Sequence, residues 1–153
     1  MKHKIEYTVI QFKDICGFKV TFPCSQHLWD VNYKAELLDD VKADLFQSLT
    51  AKLLYITKII RSDIEPAVEF FTTRVAKSNV ENWKKLIRCI SYLNHTVDDV
   101  SIIGGFNLTD FFTWFDLSYY VHPNMRSHTG VVISIVYGML HFQSSKQKLN
   151  AKS

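Results

Sequence analysis

After Asp116 the chain contains no Asp and no Glu, down to Ser153. Between Asn94 and Asp116 it contains no Lys and no Arg. The three cysteines, Cys16, Cys24 and Cys89, form no CxxC pair and are too few and odd in number for a disulfide framework. A reducing intracellular setting, cytoplasmic or nuclear rather than secreted, is the expectation, with no disulfide partner. No run of eighteen apolar residues exists, so no membrane span is expected. The start, "MKHKIEYTVIQF", lacks the apolar block of a signal peptide. What remains is a chain of 153 residues, 47% hydrophobic, which is enough apolar material for a core and excludes a disordered composition.

The gaps in charge divide the chain. From Val41 to Leu93 there are nine Lys/Arg against five acids. Asn94 to Asp116 holds four acids, and the residues after Asp116 hold four Lys/Arg. Basic segments flanking an acidic one suit contact with nucleic acid, and they also suit plain solvation of exposed faces.

Three helices are predicted first. Leu45, Leu49, Leu53, Ile56 and Ile60 repeat at helical spacing within Val41–Ile60. Ser62 with Glu65 reads as a capping box, and Pro66 falls in the first turn of a second helix. Ile64, Ala67, Val68, Phe71 and Val75 line its apolar face. Ser78 with Glu81 reads as a second box. The third stripe is Val80, Trp83, Leu86, Ile87, Ile90 and Leu93, and Lys84, Lys85 and Arg88 occupy the other side. Short joints and matching apolar faces imply a three-helix bundle. Trp83 sits on the apolar stripe and is expected in the core. Arg74, Lys77, Lys84, Lys85 and Arg88 are the candidate phosphate contacts, because such contacts need only positive charge on an exposed face.

After Thr96 the residues become β-branched and aromatic. "DDVSIIGGFNLTDFFTWFDLSYYV" and "TGVVISIVYGMLHFQSS" predict about three antiparallel strands, the last two divided near Tyr137-Gly138. Gly104-Gly105 lacks the Lys-Ser/Thr of a phosphate loop and reads as a turn or bulge. The expected class is therefore α+β, with a boundary near residues 94–104. Residues 1–40 are expected to hold a short N-terminal helix and an irregular loop around "FPCSQHLWDVN".

Asp116, in "WFDLSYYVHPNMRSHTG", is a lone acid among Trp114, Phe115 and Tyr119. It reads either as a strand residue bonded to backbone or facing water, or as a metal-binding carboxylate. His95, His122 and His128 with Cys89 fit no familiar zinc spacing. Ser118 lies near Asp116 and His122, but no strand–turn–helix elbow surrounds it.

These stretches together carry a resemblance. "AKLLY", "RSDIEPAV", "TTRV", "NWKKL" and "YLNHT" come in the order found at the end of the reverse transcriptase region of copia-type (Pseudoviridae-like) retrotransposon polyproteins. "WFDLSYYVHPNMRSHTGVVISI" and "SSKQKLNAKS" resemble the adjoining start of the ribonuclease H domain, and the likeness runs from about His27 to Ser153. It implies an N-terminal reverse transcriptase segment over 1–40, a thumb-like helical region over 41–96, and truncated RNase H-like strands over 97–153. It implies that the helices grip an RNA–DNA hybrid. It also implies that Asp116 is the first carboxylate of a Mg²⁺-dependent nuclease site. Several carboxylates are needed to fix two hard cations, and the later ones are missing here. Asp39-Asp40 lies outside the aromatic hairpin that holds the polymerase aspartates. Ser62 stands where the family has Pro, and Leu117 and Tyr120 stand where it has Ala. The chain is therefore expected to be a catalytically inactive polyprotein fragment needing no cofactor of its own. The alternatives are a non-enzymatic nucleic-acid-binding helical module or a remnant without function.

Overall fold

The computed structural model describes residues 19–99, 109–135 and 138–148, together with Glu6 and Ile10. The chain divides into two compact units, Met1–Asp99 and Val100–Ser153. Among the residues described as continuous elements, the first carries three α-helices and the second a three-stranded antiparallel sheet, an α+β arrangement. Of the expected N-terminal helix, only Glu6 and Ile10 are described, and both are helical. Gly104-Gly105, Tyr137 and the tail beyond Lys148 lie outside the described residues.

In the first unit, α1 spans Asp40–Ile59, α2 Glu65–Thr72 and α3 Val80–His95. Asp39 caps α1 by accepting from the backbone N–H of Lys42. The apolar stripe then meets its partners. Phe46, Leu49, Leu53 and Ile56 from α1 pack with Ala67, Val68, Phe70 and Phe71 from α2 and Leu86, Cys89, Ile90 and Leu93 from α3. Phe71 meets both Phe46 and Phe70 edge-to-face, the arrangement that ring quadrupoles favour. Trp83 is partly buried against this core.

Both predicted capping boxes are corrected. The cap of α3 is Asn79, one residue later than Ser78, in a reciprocal pair with Asn82. Ser62–Ile64 forms a short 3₁₀ turn, so α2 starts without a side-chain cap. Glu65 instead turns inward, where Thr57 and Lys58 donate to its carboxylate. Burying that acid would be costly without such donors. Val75 also leaves the helix and opens a 3₁₀ turn over Val75–Lys77.

In the second unit, β1 is Phe111–Ser118, β2 His128–Ile135 and β3 Gly138–Lys146, in the order β1-β2-β3. Asp116 pairs with Gly130, and Ser118 with His128. The β2–β3 register shifts once, between Ile133 and Ser134. Residues 119–127 reverse the chain between β1 and β2. Tyr120 and Met125 adopt left-handed backbone there, with φ of 52° and 57°, a region that glycine occupies more cheaply. The reversal is held by His122 N–H donating to Arg126 C=O and Met125 N–H donating to His122 C=O. β1 is exposed along nearly all its length. Directly opposed residues share a face, so Phe112, Trp114 and Asp116 lie on one side, and Phe111, Phe115 and Leu117 on the other.

Candidate functional site

The five predicted phosphate contacts all fall in the first unit and differ in what they touch. Lys77 and Lys84 are exposed. Lys84 pairs with Glu81 at 2.8 Å, one helical turn back. Such a surface pair is weak and opens readily to a phosphate. Arg74 is half-buried, with its guanidinium over the ring of Tyr33 at 5.7 Å. Arg88 is also half-buried, and its Nε has no hydrogen-bond partner among the described residues.

Lys85 departs from the reading as an exposed cation. Its ammonium donates to the carbonyl oxygens of His27, Leu28 and Asp30 at 3.0, 2.8 and 2.7 Å. It also sits over the ring of Phe70 at 4.5 Å. All three ammonium protons are thereby directed at carbonyl oxygens. Burial lowers its pKa, an effect that Asp30 and Glu81 oppose. Lys85 fastens the loop before α1 to α3. Of the five, Lys77 and Lys84 are the ones exposed to solvent.

Asp116 sits in the body of β1 and is exposed. Both readings from sequence, strand residue and metal-binding carboxylate, remain compatible with that position. Its row continues through Gly130 on β2 to Ser144 on β3. A Cβ placed on Gly130 would meet that of Asp116 at 3.7 Å, an ordinary contact distance. Among the described residues, no three His, Cys, Asp or Glu side chains gather to hold a metal ion.

The four residues weighed for zinc separate. Cys89 is buried in the helical core, where burial pushes its thiol far up, and His95 Nδ1 lies 2.8 Å from the Ser91 carbonyl oxygen. His122 and His128 do meet. His122 Nε2 lies 3.0 Å from His128 Nδ1, and the ring centroids are 5.2 Å apart. His128 Nε2 lies 2.6 Å from Ser144 Oγ. His122 is 3% exposed and His128 8%. Burial, with Lys146 and His128 adding to it, pushes the pKa of His122 down to about 4. It is therefore neutral at pH 7.

Sequence reasoning weighed both histidines for zinc, found no fitting spacing, and missed Ser144. The directly opposed partner of His128 is Lys146, and Ser144 is its diagonal neighbour two residues away. An imidazole spans that diagonal, but only the strand register reveals it. The nearby Ser118, which looked closer in sequence, has its paired position on the opposite side of His128.

Cys24 and Cys89 are free thiols. No described helix is long and apolar enough to cross a membrane. No protein-family model matches the chain, nor does any curated protein or any solved structure.

Proposed function

We propose that the chain is a piece of a copia-type retrotransposon polyprotein. On this reading it joins the thumb-like end of a reverse transcriptase to the first strands of an RNase H-like domain, and it neither copies RNA nor cleaves it. The observation that carries the reading is β1. Both its faces are apolar and exposed, with Trp114 on one side at 53% and Phe115 on the other at 72%. A strand apolar on both faces is the kind that a complete domain covers on both sides. Asp116 lies within that strand, and the sheet has the three antiparallel strands expected of the segment.

Inactivity follows from the chemistry of the acid set. The resemblance gives Asp116 a role as one ligand for Mg²⁺, in a site where hard cations bind oxygen donors and polarise the scissile phosphate. Asp116 offers one carboxylate, and the sequence supplies no acid after it. The purified chain, incubated with RNA–DNA hybrid and Mg²⁺, should leave the RNA intact. Mg²⁺-dependent cleavage that disappears in Asp116→Asn would overturn the reading.

The exposure of Lys77 and Lys84 favours a second reading, a helical unit that grips nucleic acid without chemistry. Its affinity for a hybrid duplex should fall steeply with salt, as phosphate neutralisation releases counterions. Absence of binding even at low salt would remove it.

A further inference from the structure

Ser144, His128 and His122 form a hydrogen-bonded line that the polyprotein reading does not use. The serine oxygen stands 2.6 Å from the first imidazole, and the first imidazole 3.0 Å from the second. A hydroxyl bonded to a base, with that base held by a third group, is the arrangement that activates a serine. We propose that Ser144 is an acyl-accepting nucleophile with His128 as its general base, acting on small activated carboxylic esters. This inference does not depend on a retrotransposon origin.

Two proton arrangements fit these distances, and one of them activates the serine. When Ser144 donates its hydroxyl proton to His128 Nε2, the ring proton of His128 resides on Nδ1. That proton is then directed at His122 Nε2, which must carry a lone pair. The depressed basicity of His122 keeps the lone pair available at neutral pH. His122 is thus a positioning residue, which sets the tautomer and orientation of His128 as the third member of a triad does.

Ser144 is only half-buried, and Gly130 separates it from Asp116 in the cross-strand row. Gly130 contributes no side chain of its own to that space. Lys146, two residues along the same strand and directly opposite His128, brings positive charge to this face. That is the sign that stabilises a developing oxyanion.

The steps balance without a metal or redox partner. Ser144 Oγ bonds to the ester carbonyl carbon as its proton passes to His128 Nε2, and the carbonyl electrons move to oxygen. Collapse breaks the bond to the leaving alkoxide, which takes the proton from His128. Water then gives a proton to His128 and attacks the acyl-serine. The acyl–Oγ bond breaks, the carboxylic acid departs, and Ser144 recovers its proton.

The test uses the unaltered full chain, a fluorophosphonate probe with peptide mass spectrometry, and p-nitrophenyl acetate turnover. The expected result is a label on Ser144, lost together with ester turnover in Ser144→Ala. His128→Gln should slow acylation by about 100-fold. His122→Phe should keep the label but move the acid limb of the turnover-against-pH profile. No label on Ser144 in the unaltered chain overturns the proposal. So does equal labelling of Ser144 after heat denaturation, because that reaction would need no folded line of side chains. An unmoved acid limb in His122→Phe removes the positioning role.

Discussion

The guanidinium of Arg61 holds Thr96 at two points, donating to its carbonyl oxygen at 2.7 Å and to its hydroxyl at 2.6 Å. Arg61 stands at the joint between α1 and α2, and Thr96 just beyond α3. Arg61 also forks onto both oxygens of Asp63, at 2.9 and 2.7 Å, and lies over the ring of Tyr92. Tyr92 closes the circuit by donating to Asp63 Oδ2 at 2.7 Å. One buried cation thus ties the α1–α2 joint to the end of α3.

Arg61→Ala should therefore destabilise the helical unit by about 3 kcal/mol, since it strands the carboxylate and carbonyl that the fork satisfied. Arg61→Lys should recover only part of this, because an ammonium cannot make the planar fork. Urea unfolding followed by circular dichroism measures both. The same network predicts an acid response. Burial alone would raise the pKa of Asp63, but its bonds from Arg61 and Tyr92 outweigh that and lower it. With the folded pKa below the unfolded value, the contribution is complete above about pH 4. It is lost as pH falls through the folded pKa. Arg61→Ala should flatten that acid limb.

Lys85 and Lys84 are neighbours in sequence with separable roles. Lys85→Met keeps an aliphatic stem over Phe70 and removes the donors to three loop carbonyls. It should cost about 1–2 kcal/mol of stability and leave the salt slope of any hybrid-duplex binding unchanged. Lys77→Glu with Lys84→Glu should do the reverse, weakening any duplex affinity with stability within about 0.5 kcal/mol of the parent. Thermal melts paired with a salt titration separate the two. A loss of duplex affinity in a folded Lys85→Met chain would return Lys85 to the phosphate-binding set.

The helices were legible in sequence because each carries a single apolar stripe. Leu49, Leu53 and Ile56 had to face inward whatever they met. The caps were less legible. Ser78 and Asn79 both cap well in principle, and the isolated bridge between Leu37 and Asn79 fixes the chain at the second of them. Glu65 was read as a cap partner because its spacing from Ser62 fits. Its actual partners, Thr57 and Lys58, come from the preceding helix. The role of Lys85 was invisible for a similar reason, since loop carbonyls 55 to 58 residues away create its cradle. Strand composition announced the sheet, but composition carries no register. The meeting of His128 with Ser144 depends on register alone.

The histidine pair should make the sheet unit sensitive to mild acid. His122 has a folded pKa of about 4, below the roughly 6.5 of an unfolded imidazole. The unfolded chain therefore binds an extra proton between those values, and stability must fall as pH drops through that window. Below the folded pKa, both states are protonated and the effect is complete. Lys146 sharpens the response, since its charge adds to the cost of an imidazolium at His122. Ring-proton NMR of His122 should report a midpoint near 4. His122→Phe should remove this contribution to the melting profile between about pH 4 and pH 6.5. A His122 midpoint at the ordinary imidazole value would show that the ring is not held as described.

β1 presents an outer strand with apolar side chains on both faces. Phe111, Phe112, Trp114, Phe115 and Leu117 are all exposed, and Phe112 stacks on Trp114 with an interplanar angle of 27°. Among the described residues it is an outer strand of the sheet, and such a strand presents backbone groups that a second strand can pair with. Residues 111–117 hold one charge, Asp116, and no proline to interrupt such pairing. The purified chain should accordingly self-associate with rising concentration, and the contact should begin at β1. Thr113→Lys places a second charge near the centre of the strand, where repeated pairing would bring like charges together. Sedimentation velocity should then show the association weakened by about 10-fold or more, with helical circular dichroism retained. Asp116→Asn removes the existing charge and should strengthen association in the same assay. If Thr113→Lys and Asp116→Asn shift it in the same direction, charge at β1 is not what limits pairing, and the contact must lie elsewhere on the chain.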